Sequence, residues 1–222
     1  MRVKIQNKDI FLKVLKDMFP ELKTLNINGL SIDSRNIKPG DIFLPLKGKR
    51  NDGHQFIDRV ADCNASLAII EKSVQTPMLT QKVKSTKKTL YKLISKYREK
   101  LTYPFIAITG SNGKTTTKEL LCHVLSENFN VMKTKGNFNS TIGAPLSILT
   151  FSKDADVGII EMGANHPGEI KAICQIIKPD MGLITNIGEA HIGNFNSIHD
   201  IALTKGALFS SLPKDETSGI YP

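Results

Sequence analysis

The sequence predicts an α/β fold: a small N-terminal α/β domain followed by a domain built on a parallel sheet. From Phe105 onward, apolar runs alternate with segments of helical spacing, as in parallel sheets covered on both faces. The first ~100 residues alternate shorter strands and helices. Pro104 disfavours helix at the residue before it, which places the boundary there. The predicted domains are residues 1–102 and 103–222.

Local signals define the elements of the first domain. KDIFLKVLKDMF has apolar residues at helical spacing, and GHQFIDRVADC is typical of a second helix. GLSID, DIFLPL and LAII predict short strands, and the turn-like SRNIKPG separates the first two. A lysine-rich segment with helical apolar spacing then runs to REKLTYP and predicts a surface helix.

The second domain alternates more regularly. FIAIT, NVMKT, DVGIIEMG and MGLITNI predict four strands, while KTTTKELLCHVLSENF, PGEIKAICQII and SIHDIALTKGALFSSL predict helices, with a short helix in IGAPLSILT. Ser197 is placed to cap the last of these helices. Its residues expected to face the core are Ile198, Ala202, Leu208 and Phe209. Ligands of such sheets bind beyond the carboxyl ends of the strands, where the loops TGSNGKT, EMGANHPGE and NIGEAHIGNF fall.

Length and composition restrict the class of protein. The chain has 222 residues, 40% of them apolar, which suffices for a packed core. No apolar run approaches the ~18 residues of a membrane helix, and the start lacks a signal-peptide core. Cys63, Cys122 and Cys174 stand far apart, which favours reduced thiols. We therefore expect a cytoplasmic protein that does not insert into a membrane.

Positive charge is concentrated in one segment. Of the net charge of +9, residues 71–100 contribute eight Lys and one Arg against two Glu. Such a segment can bind nucleic acid, but its alternation of apolar and cationic residues is also that of a solvated helix face. No aromatic-rich platform for single strands accompanies it. We expect the helix face and no nucleic-acid partner.

Residues 110–116 combine two glycines, a lysine and hydroxyl side chains between a predicted strand and a predicted helix. Glycines let backbone N–H groups approach phosphate oxygens, and a helix N-terminus attracts the same charge. Lys114 can contact the β- and γ-phosphates, and Thr115 can bind Mg²⁺. The strict P-loop pattern has a further glycine where this chain has Ile108, but the strand–loop–helix order is kept. The predicted ATP-binding residues of this partial P-loop ATPase domain are Gly110, Ser111, Asn112, Gly113, Lys114, Thr115 and Thr116.

Other polar residues fall near the ends of predicted strands. Glu161 ends a strand and can hold Mg²⁺ if that strand lies beside the P-loop. For His191, in the loop after a later strand, metal binding and a structural role stay equally open. Lys205 lies close to the inward stripe of the last helix, and the residues alone predict that its ammonium reaches solvent. Asn137 and Asn139 can bind phosphate or sugar oxygens, although loops of this kind are usually turns.

Together these stretches resemble the Mur ligase family. TGSNGKTTTKE is similar to the family's ATP-binding loop, which also lacks the early glycine. GNFNSTIGAPLS, EMGANHPGEI and NIGEAHIGNFNSI are similar to the members that use D-Ala-D-Ala, and SIDSRNIKPGDIFLPLKGKRNDGHQFI to their first domain. The resemblance covers nearly the whole chain, and its motifs occur in order.

The resemblance implies an activity, cofactors and partners. Such members use ATP to phosphorylate the terminal carboxylate of UDP-N-acetylmuramoyl-tripeptide, and D-Ala-D-Ala then displaces phosphate, a cytoplasmic step of peptidoglycan synthesis. Phosphorylation supplies the leaving group that a carboxylate lacks, and cations stabilise the transferring group. The implied cofactors are ATP, two Mg²⁺ ions and a carbamylated lysine, and we expect a monomer.

The resemblance also assigns roles to residues of this chain. The implied catalytic residues are Lys114, His191 and Lys205. The implied metal ligands are Thr115, Glu161, His191 and Lys205. Carbamylation of Lys205 would make it a carboxylate-like ligand, which reverses the expectation of a solvent-facing lysine. The residues matched to the UDP-linked substrate are Ser31, Asp33, Ser34, Arg35, Lys47, Gly48, Asp52, His54, Asn137 and Asn139.

The chain departs from the family pattern in two respects. Ala207 stands where the family usually has Glu after KG. The family's C-terminal domain and further central strands are not represented, so we expect these 222 residues alone to be inactive or very weakly active. Two alternatives stay open: another amino-acid ligase of the same family, and a non-catalytic ATP-binding fragment.

Overall fold

The computed structural model describes residues 1–22, 25–48, 51–136, 138–188 and 194–213. The chain forms two compact units, Met1–Tyr97 and Arg98–Pro222. The division falls five residues before the predicted boundary because Arg98 already belongs to the second unit. Its guanidinium lies 3.8 Å from the centroid of the Phe105 ring and donates to a carboxylate oxygen of Asp180 at 2.8 Å.

The first unit contains a five-stranded sheet. Its elements are β1 (Arg2–Lys4), α1 (Lys8–Met18), β2 (Gly29–Ser31), β3 (Asp41–Phe43), α2 (Ile57–Asp62), β4 (Leu67–Ile70), β5 (Thr80–Lys82) and α3 (Thr86–Arg98), whose last residue falls in the second unit. The strand order is β1-β2-β3-β4-β5, antiparallel between β1 and β2 and parallel elsewhere. The sequence predicted β2, β3 and β4 but not β1 and β5, since RVK and TQK carry no apolar run.

The second unit contains a four-stranded parallel sheet in the part of the chain described. Its elements are β6 (Phe105–Thr109), α4 (Lys114–Leu125), β7 (Val131–Lys133), α5 (Gly143–Ser147), β8 (Val157–Glu161), α6 (Glu169–Ile177), β9 (Met181–Ile184) and α7 (Ile198–Gly206). The strand order is β7-β8-β6-β9. All four predicted strands are confirmed, and the parallel α/β class with them.

The central position of β6 determines which loops lie together. β6 pairs with β8, where Ile108 is opposite Glu161, and with β9, where Thr109 is opposite Ile184. Because these strands are parallel, their carboxyl ends lie at one edge of the sheet. Ile108 and Ile159 pack with Cys122 of α4 in the core below. The segments after β6, β8 and β9 are therefore brought to the same edge.

The buried face of α7 differs from the predicted one. The Ser197 side chain caps the helix as expected and accepts a hydrogen bond from the Asp200 N–H at 3.2 Å. Leu208 is buried as predicted, but Ile198 is 51% exposed. The residues of α7 that are buried are Ile201, Thr204 and Lys205. Apolar periodicity failed because this face contains a polar site. None of the helices in the described part combines the length and hydropathy needed to span a bilayer.

Candidate functional site

The loop after β6 lies tightly against the end of β9. Gly110 has φ of +150°, and a Cβ atom there would lie 1.9 Å from the Thr185 hydroxyl oxygen. That hydroxyl donates to the Asn112 carbonyl at 2.6 Å. Gly113, with φ of +76°, makes the left-handed turn immediately before α4 begins at Lys114. Glycine is thus required at position 110 both by its backbone angle and by the close approach of Thr185.

Asn186 holds two amides of this loop. Its side-chain oxygen accepts hydrogen bonds from the N–H groups of Ser111, at 3.1 Å, and Asn112, at 2.9 Å. The Ser111 hydroxyl donates to the Gly188 carbonyl at 2.8 Å. The structure therefore turns these two amides, predicted to face phosphate, toward the segment after β9. The first-turn amides of α4 are then the backbone donors suited to an anion, because a helix supplies them no internal acceptor.

Two lysines converge on one backbone oxygen. The Lys114 ammonium donates to the Gly110 carbonyl at 2.8 Å, and the Lys205 ammonium donates to the same oxygen at 3.0 Å. Lys205 is only 5% exposed, so the expectation that its ammonium reaches solvent is wrong. Burial, with a smaller contribution from the Lys114 charge, lowers the pKa of Lys205 to about 8. Burial also lowers the pKa of Lys114, which the charge of Glu161 partly offsets.

The Glu161 carboxylate is buried and fully engaged. One oxygen accepts hydrogen bonds from the Thr115 hydroxyl at 3.0 Å and the Lys118 ammonium at 3.1 Å. The other accepts from the Asn139 side-chain amide at 2.9 Å. The backbone N–H of Glu161 donates to the Thr134 hydroxyl at 3.0 Å. Glu161 and Thr115 therefore lie together as predicted, whereas Asn139, predicted to bind substrate oxygens, holds Glu161.

The oxygen donors of Thr115 and Glu161 fit a magnesium ion. Mg²⁺ prefers hard oxygen ligands, uses few from the protein, and takes the rest from phosphates and water. Within the described ranges, no three or more His, Cys, Asp and Glu side chains are grouped so that they could hold a metal ion by themselves. His191, the predicted ligand of a second ion, and Asn137 lie outside the described residues.

A polar cavity of about 270 Å³ opens beside the two lysines. It is lined by Gly110, Ser111, Lys114, Asn139, Ser140, Thr141, Gly163, Ala164, Asn165, Glu169 and Lys205. The Glu169 carboxylate accepts the N–H of Asn165 at 2.7 Å and of His166 at 3.1 Å, which fixes the wall after β8. The cavity thus brings together predicted residues from three separate segments, namely the loop after β6, Asn139 and Lys205. Its paired cations suit a phosphate or carboxylate group.

Sequence reasoning missed Lys118 and Asn186. Lys118 lies one turn after Lys114 on α4, a spacing that places two side chains on the same helix face. Asn186 follows β9 at the edge of the sheet where ligands bind, which was the available signal. Both residues act on other site residues, so no binding motif marks them.

The predicted substrate residues of the first unit occupy two loops. The first contains Ser31, Asp33, Ser34 and Arg35. The Asp33 carboxylate accepts hydrogen bonds from the backbone N–H of Arg35 at 3.1 Å and from its guanidinium at 2.9 Å. The Arg35 bonds hold the pKa of that carboxyl well below its usual range. Ser31, at the end of β2, donates its hydroxyl to the Asp33 carbonyl at 2.9 Å.

The second loop contains Lys47, Gly48, Asp52 and His54. Lys47 and Asp52 form an isolated antiparallel bridge. Asp52 accepts hydrogen bonds from the backbone N–H of His54 at 3.0 Å and from its Nδ1 at 2.6 Å. His54 Nε2 accepts the backbone N–H of Glu71 at 3.0 Å, so the ring proton resides on Nδ1. Because β2, β3 and β4 are parallel, both loops lie at one edge of their sheet.

The fold and site define an α/β protein with a P-loop-like anion site at the carboxyl edge of a parallel sheet. The chain belongs to the Mur ligase family: residues 108–221 match the Mur ligase middle domain. Residues 26–99 match a second model, described as the Mur ligase family catalytic domain.

Two curated relatives of this chain carry the same name. The chain is 35% identical over 199 residues to the UDP-N-acetylmuramoyl-tripeptide–D-alanyl-D-alanine ligase of Bacillus subtilis, covering 88% of this chain and 44% of that protein. Identity to the ligase of the same name from Synechocystis is 38% over 197 residues, covering 87% of this chain and 43% of the relative. The chain thus spans less than half the length of the curated relatives it matches.

Solved structures of MurF ligases have the same fold as this chain. MurF from Acinetobacter baumannii superimposes with a TM-score of 0.82 at 32% identity, covering 96% of this chain and 47% of that one. The MurF ligase of Thermotoga maritima in complex with ADP gives a TM-score of 0.75 at 37% identity, covering 84% of this chain and 44% of that one.

Proposed function

We propose that this chain forms the UDP-substrate-binding and ATP-binding portions of a ligase that joins D-Ala-D-Ala to UDP-N-acetylmuramoyl-tripeptide in the cytoplasm. The observation that carries the proposal is the convergence of Lys114 and Lys205 on one oxygen beside a polar cavity. Names of similar proteins support the reaction, and the ADP bound to the Thermotoga relative supports the nucleotide. The UDP-linked tripeptide and D-Ala-D-Ala are the proposed partners of the complete enzyme, acting as a monomer.

The reaction follows from what a carboxylate requires. The terminal carboxylate oxygen of the tripeptide attacks the γ-phosphorus of ATP, the bond to the β-phosphate oxygen breaks, and ADP leaves. The amine of D-Ala-D-Ala then attacks the acyl carbon, phosphate leaves with the bonding pair, and the amine loses a proton. Both steps concentrate negative charge on oxygens, which fixed positive charge stabilises.

The residues of the second unit divide this work. Lys114, with the first-turn amides of α4, holds the phosphoryl oxygens, whereas Lys205 is proposed to act as a metal ligand once it is carbamylated. Ser111, Asn112 and Gly113 shape the loop, and Thr116 exposes a further hydroxyl beside the helix start. Bound Mg²⁺ would neutralise phosphate charge, with Thr115 and Glu161 as its protein ligands. His191 is proposed as a ligand of a second Mg²⁺.

Carbamylation of Lys205 is part of the proposal. Carbon dioxide reacts with the neutral amine, and a pKa lowered to about 8 leaves a larger neutral fraction at physiological pH than an exposed lysine has. The resulting carbamate would present carboxylate oxygens to a metal. Carbon-13 NMR with labelled bicarbonate tests this: a carbamate signal in the wild type that is absent from Lys205→Arg supports it, and no signal in either refutes it.

The first unit is proposed to hold the UDP-linked substrate through its two loops. The proposed residues of this unit are Ser31, Asp33, Ser34, Arg35, Lys47, Gly48, Asp52 and His54. Asn137 and Asn139, which belong to the second unit, are proposed separately as contacts of the muramoyl part of the substrate. The Arg35 side chain is 76% exposed, so its guanidinium can exchange a bond with Asp33 for one to a diphosphate.

Calorimetric titration of the 222-residue chain with ATP and Mg²⁺ tests nucleotide binding. Lys114→Met is expected to weaken binding about tenfold to 100-fold, because a hydrogen bond to a charged group contributes about 1.5–3 kcal/mol. Lys171→Met is the matched control, since it removes the same charge from the exposed face of α6. Equal affinity in all three proteins would refute the nucleotide site.

A chimera distinguishes the ligase from its alternatives. This chain alone is expected to release little ADP in the presence of both substrates, whereas a fusion to the remaining part of the Bacillus subtilis relative is expected to make product. ATP binding without product in that chimera would favour a non-catalytic fragment. Product from a different UDP-linked acceptor in a substrate panel would favour another ligase of the family.

A further inference from the structure

Lys118 is the most deeply buried lysine of the described chain, with 1% of its surface exposed, and its partner is the acid proposed to bind magnesium. We propose that Lys118 competes with Mg²⁺ for Glu161, so that the site takes up the metal together with nucleotide phosphates rather than alone. Lys118 is then a positioning residue that acts through Glu161. The inference rests on the proposed function and concerns the order in which its ligands bind.

One carboxylate oxygen is shared between the metal site and the lysine. The Thr115 hydroxyl and the Lys118 ammonium lie 3.0 and 3.1 Å from the same oxygen of Glu161. A cation bound to Thr115 and Glu161 would therefore adjoin a fixed ammonium. Like charges at such separations repel, and the repulsion is weakly screened in a buried site. Lys118 thus lowers the affinity of these two residues for a free metal ion.

The orientation of Glu161 does not depend on Lys118. Asn139 binds the other carboxylate oxygen at 2.9 Å, and the backbone N–H of Glu161 is bound to Thr134 at 3.0 Å. Glu161 is itself 1% exposed, so packing restricts its rotation. Removing the lysine charge should therefore leave the carboxylate in place for a metal, and the dominant effect of Lys118 is electrostatic.

Lys118 is also held where it is. Its ammonium lies 3.4 Å from a carboxylate oxygen of Glu119, whose other oxygen is bound by Lys133. The alternating charges run from the buried Glu161 to the half-exposed Glu119 and Lys133. A lysine paired on both sides supplies Glu161 with a permanent counter-charge. Nucleotide phosphates, which bring several further oxygen ligands, are what allow a metal ion to compete with it.

Mn²⁺ binding, followed by electron paramagnetic resonance on the 222-residue chain, tests the inference. Without nucleotide, Lys118→Met is expected to bind Mn²⁺ about tenfold more tightly than the wild type, since a positive charge beside a carboxylate commonly weakens its binding of a proton by a factor of ten or more and should weaken its binding of a metal cation in the same direction. With ATP present, the difference should shrink. Lys118→Arg keeps the charge and should retain the weak binding.

Lys133→Met is the matched control. It removes one positive charge from the outer end of the same network, where the side chain contacts Glu119 and not Glu161. Its Mn²⁺ affinity should equal that of the wild type. In the double variant Lys118→Met/Glu161→Gln the gain should disappear, because the amide offers no negative charge to the metal.

Stability supplies a second readout if Lys118→Met folds poorly. An unpaired buried carboxylate destabilises the fold, and Mn²⁺ should then raise the melting temperature of this variant more than that of the wild type. Unchanged or weaker Mn²⁺ binding, or no rescue by saturating Mn²⁺, overturns the inference. Failure of the proposed function is recognised separately, as wild-type protein that does not bind ATP with Mg²⁺.

Discussion

Charged side chains are arranged differently in the two units. In Met1–Tyr97, the loops close on themselves: Asp33 binds Arg35, and Asp52 binds His54. In Arg98–Pro222, Lys114 and Lys205 share a backbone carbonyl, and no carboxylate in the described ranges is hydrogen-bonded to either. A ligand that binds these side chains of the first unit must therefore exchange existing bonds, whereas an anion beside Lys114 and Lys205 meets ammonium groups that no carboxylate among the described residues binds directly.

The pKa directions express the same difference. In the first unit, hydrogen bonds lower the pKa values of Asp33, Asp52 and Glu71, so folding favours their charged forms. In the second unit, burial lowers the pKa values of Lys114 and Lys205, so folding disfavours theirs. The charged carboxylates therefore stabilise the loops of the first unit, whereas burial of the Lys114 and Lys205 ammonium groups destabilises the second unit. Charges buried at such a cost are typical of sites that bind or transform ligands.

A glycine exchange in each unit should give the largest contrast. Gly110→Ala places a Cβ 1.9 Å from the Thr185 hydroxyl oxygen at a φ of +150°, so we expect it to destabilise the second unit. Overpacking and backbone strain together suggest about 3 kcal/mol or more. Gly48→Ala is the matched change, because its Cβ would meet only the Asn51 carbonyl at 3.5 Å. Urea denaturation showing equal losses would contradict the contrast.

Removing a buried cation should stabilise the second unit, the opposite of the effect expected for Gly110→Ala. Lys205→Met is expected to stabilise the protein at neutral pH, on the order of 1–3 kcal/mol, since an apolar side chain carries no desolvation penalty. The folded pKa of about 8 lies below the ordinary 10.5, so between these values the unfolded chain binds more protons and wild-type stability rises with pH.

The stabilising effect of Lys205→Met should therefore shrink from about pH 8 to about pH 10.5. Thermal melting of wild type and variant across this range measures the effect. A variant less stable than the wild type at neutral pH would show that the ammonium contributes more through its bond to Gly110 than it loses by burial.

Weakening the hydrogen bonds between Asp33 and Arg35 in the first unit should have the smallest effect on stability. Asp33→Asn keeps the shape of the side chain but weakens its bonds to the Arg35 amide and guanidinium, and we expect a loss of about 1 kcal/mol, typical of a helix cap. The loss should shrink progressively as the pH falls below about 4, where the unfolded chain begins to bind a proton at Asp33, and should vanish only near the much lower pKa of the folded protein. Arg35→Gln should cost less, because that side chain is exposed. A larger loss from Arg35→Gln in urea titrations would reverse this assignment.

The sequence predicted those parts of the site whose chemistry is encoded in local sequence signals. Strand, loop and helix around Lys114 could be derived because glycines, apolar runs and helical spacing are local signals. The position of Glu161 required β8 to lie beside β6, and strand order is a tertiary property that these signals do not contain. The structure shows that β8 pairs with β6 and that Glu161 lies opposite Ile108, which places its carboxylate beside the loop after β6.

Residues that act through other residues were not predictable in the same way. In the sequence, Lys118 is indistinguishable from a solvent-exposed lysine of a surface helix. Only the packing of α4 shows that it is buried against Glu161. The face of α7 was predicted from apolar periodicity, but Lys205 and Thr204 occupy the buried side, because a polar site faces the helix there. Buried polar side chains follow no periodic pattern in the sequence, so they are recognised only in the three-dimensional structure.

The contact between Gly110 and Thr185 couples two segments that are 75 residues apart in sequence. A displacement of the end of β9 toward Gly110 would press on residues 110–113, since Thr185 leaves no room for even a Cβ atom at position 110. A change at the segment after β9 would therefore be transmitted to residues 110–113 by steric contact. Natural variants that enlarge position 185 should accordingly be rare unless the loop itself is redesigned.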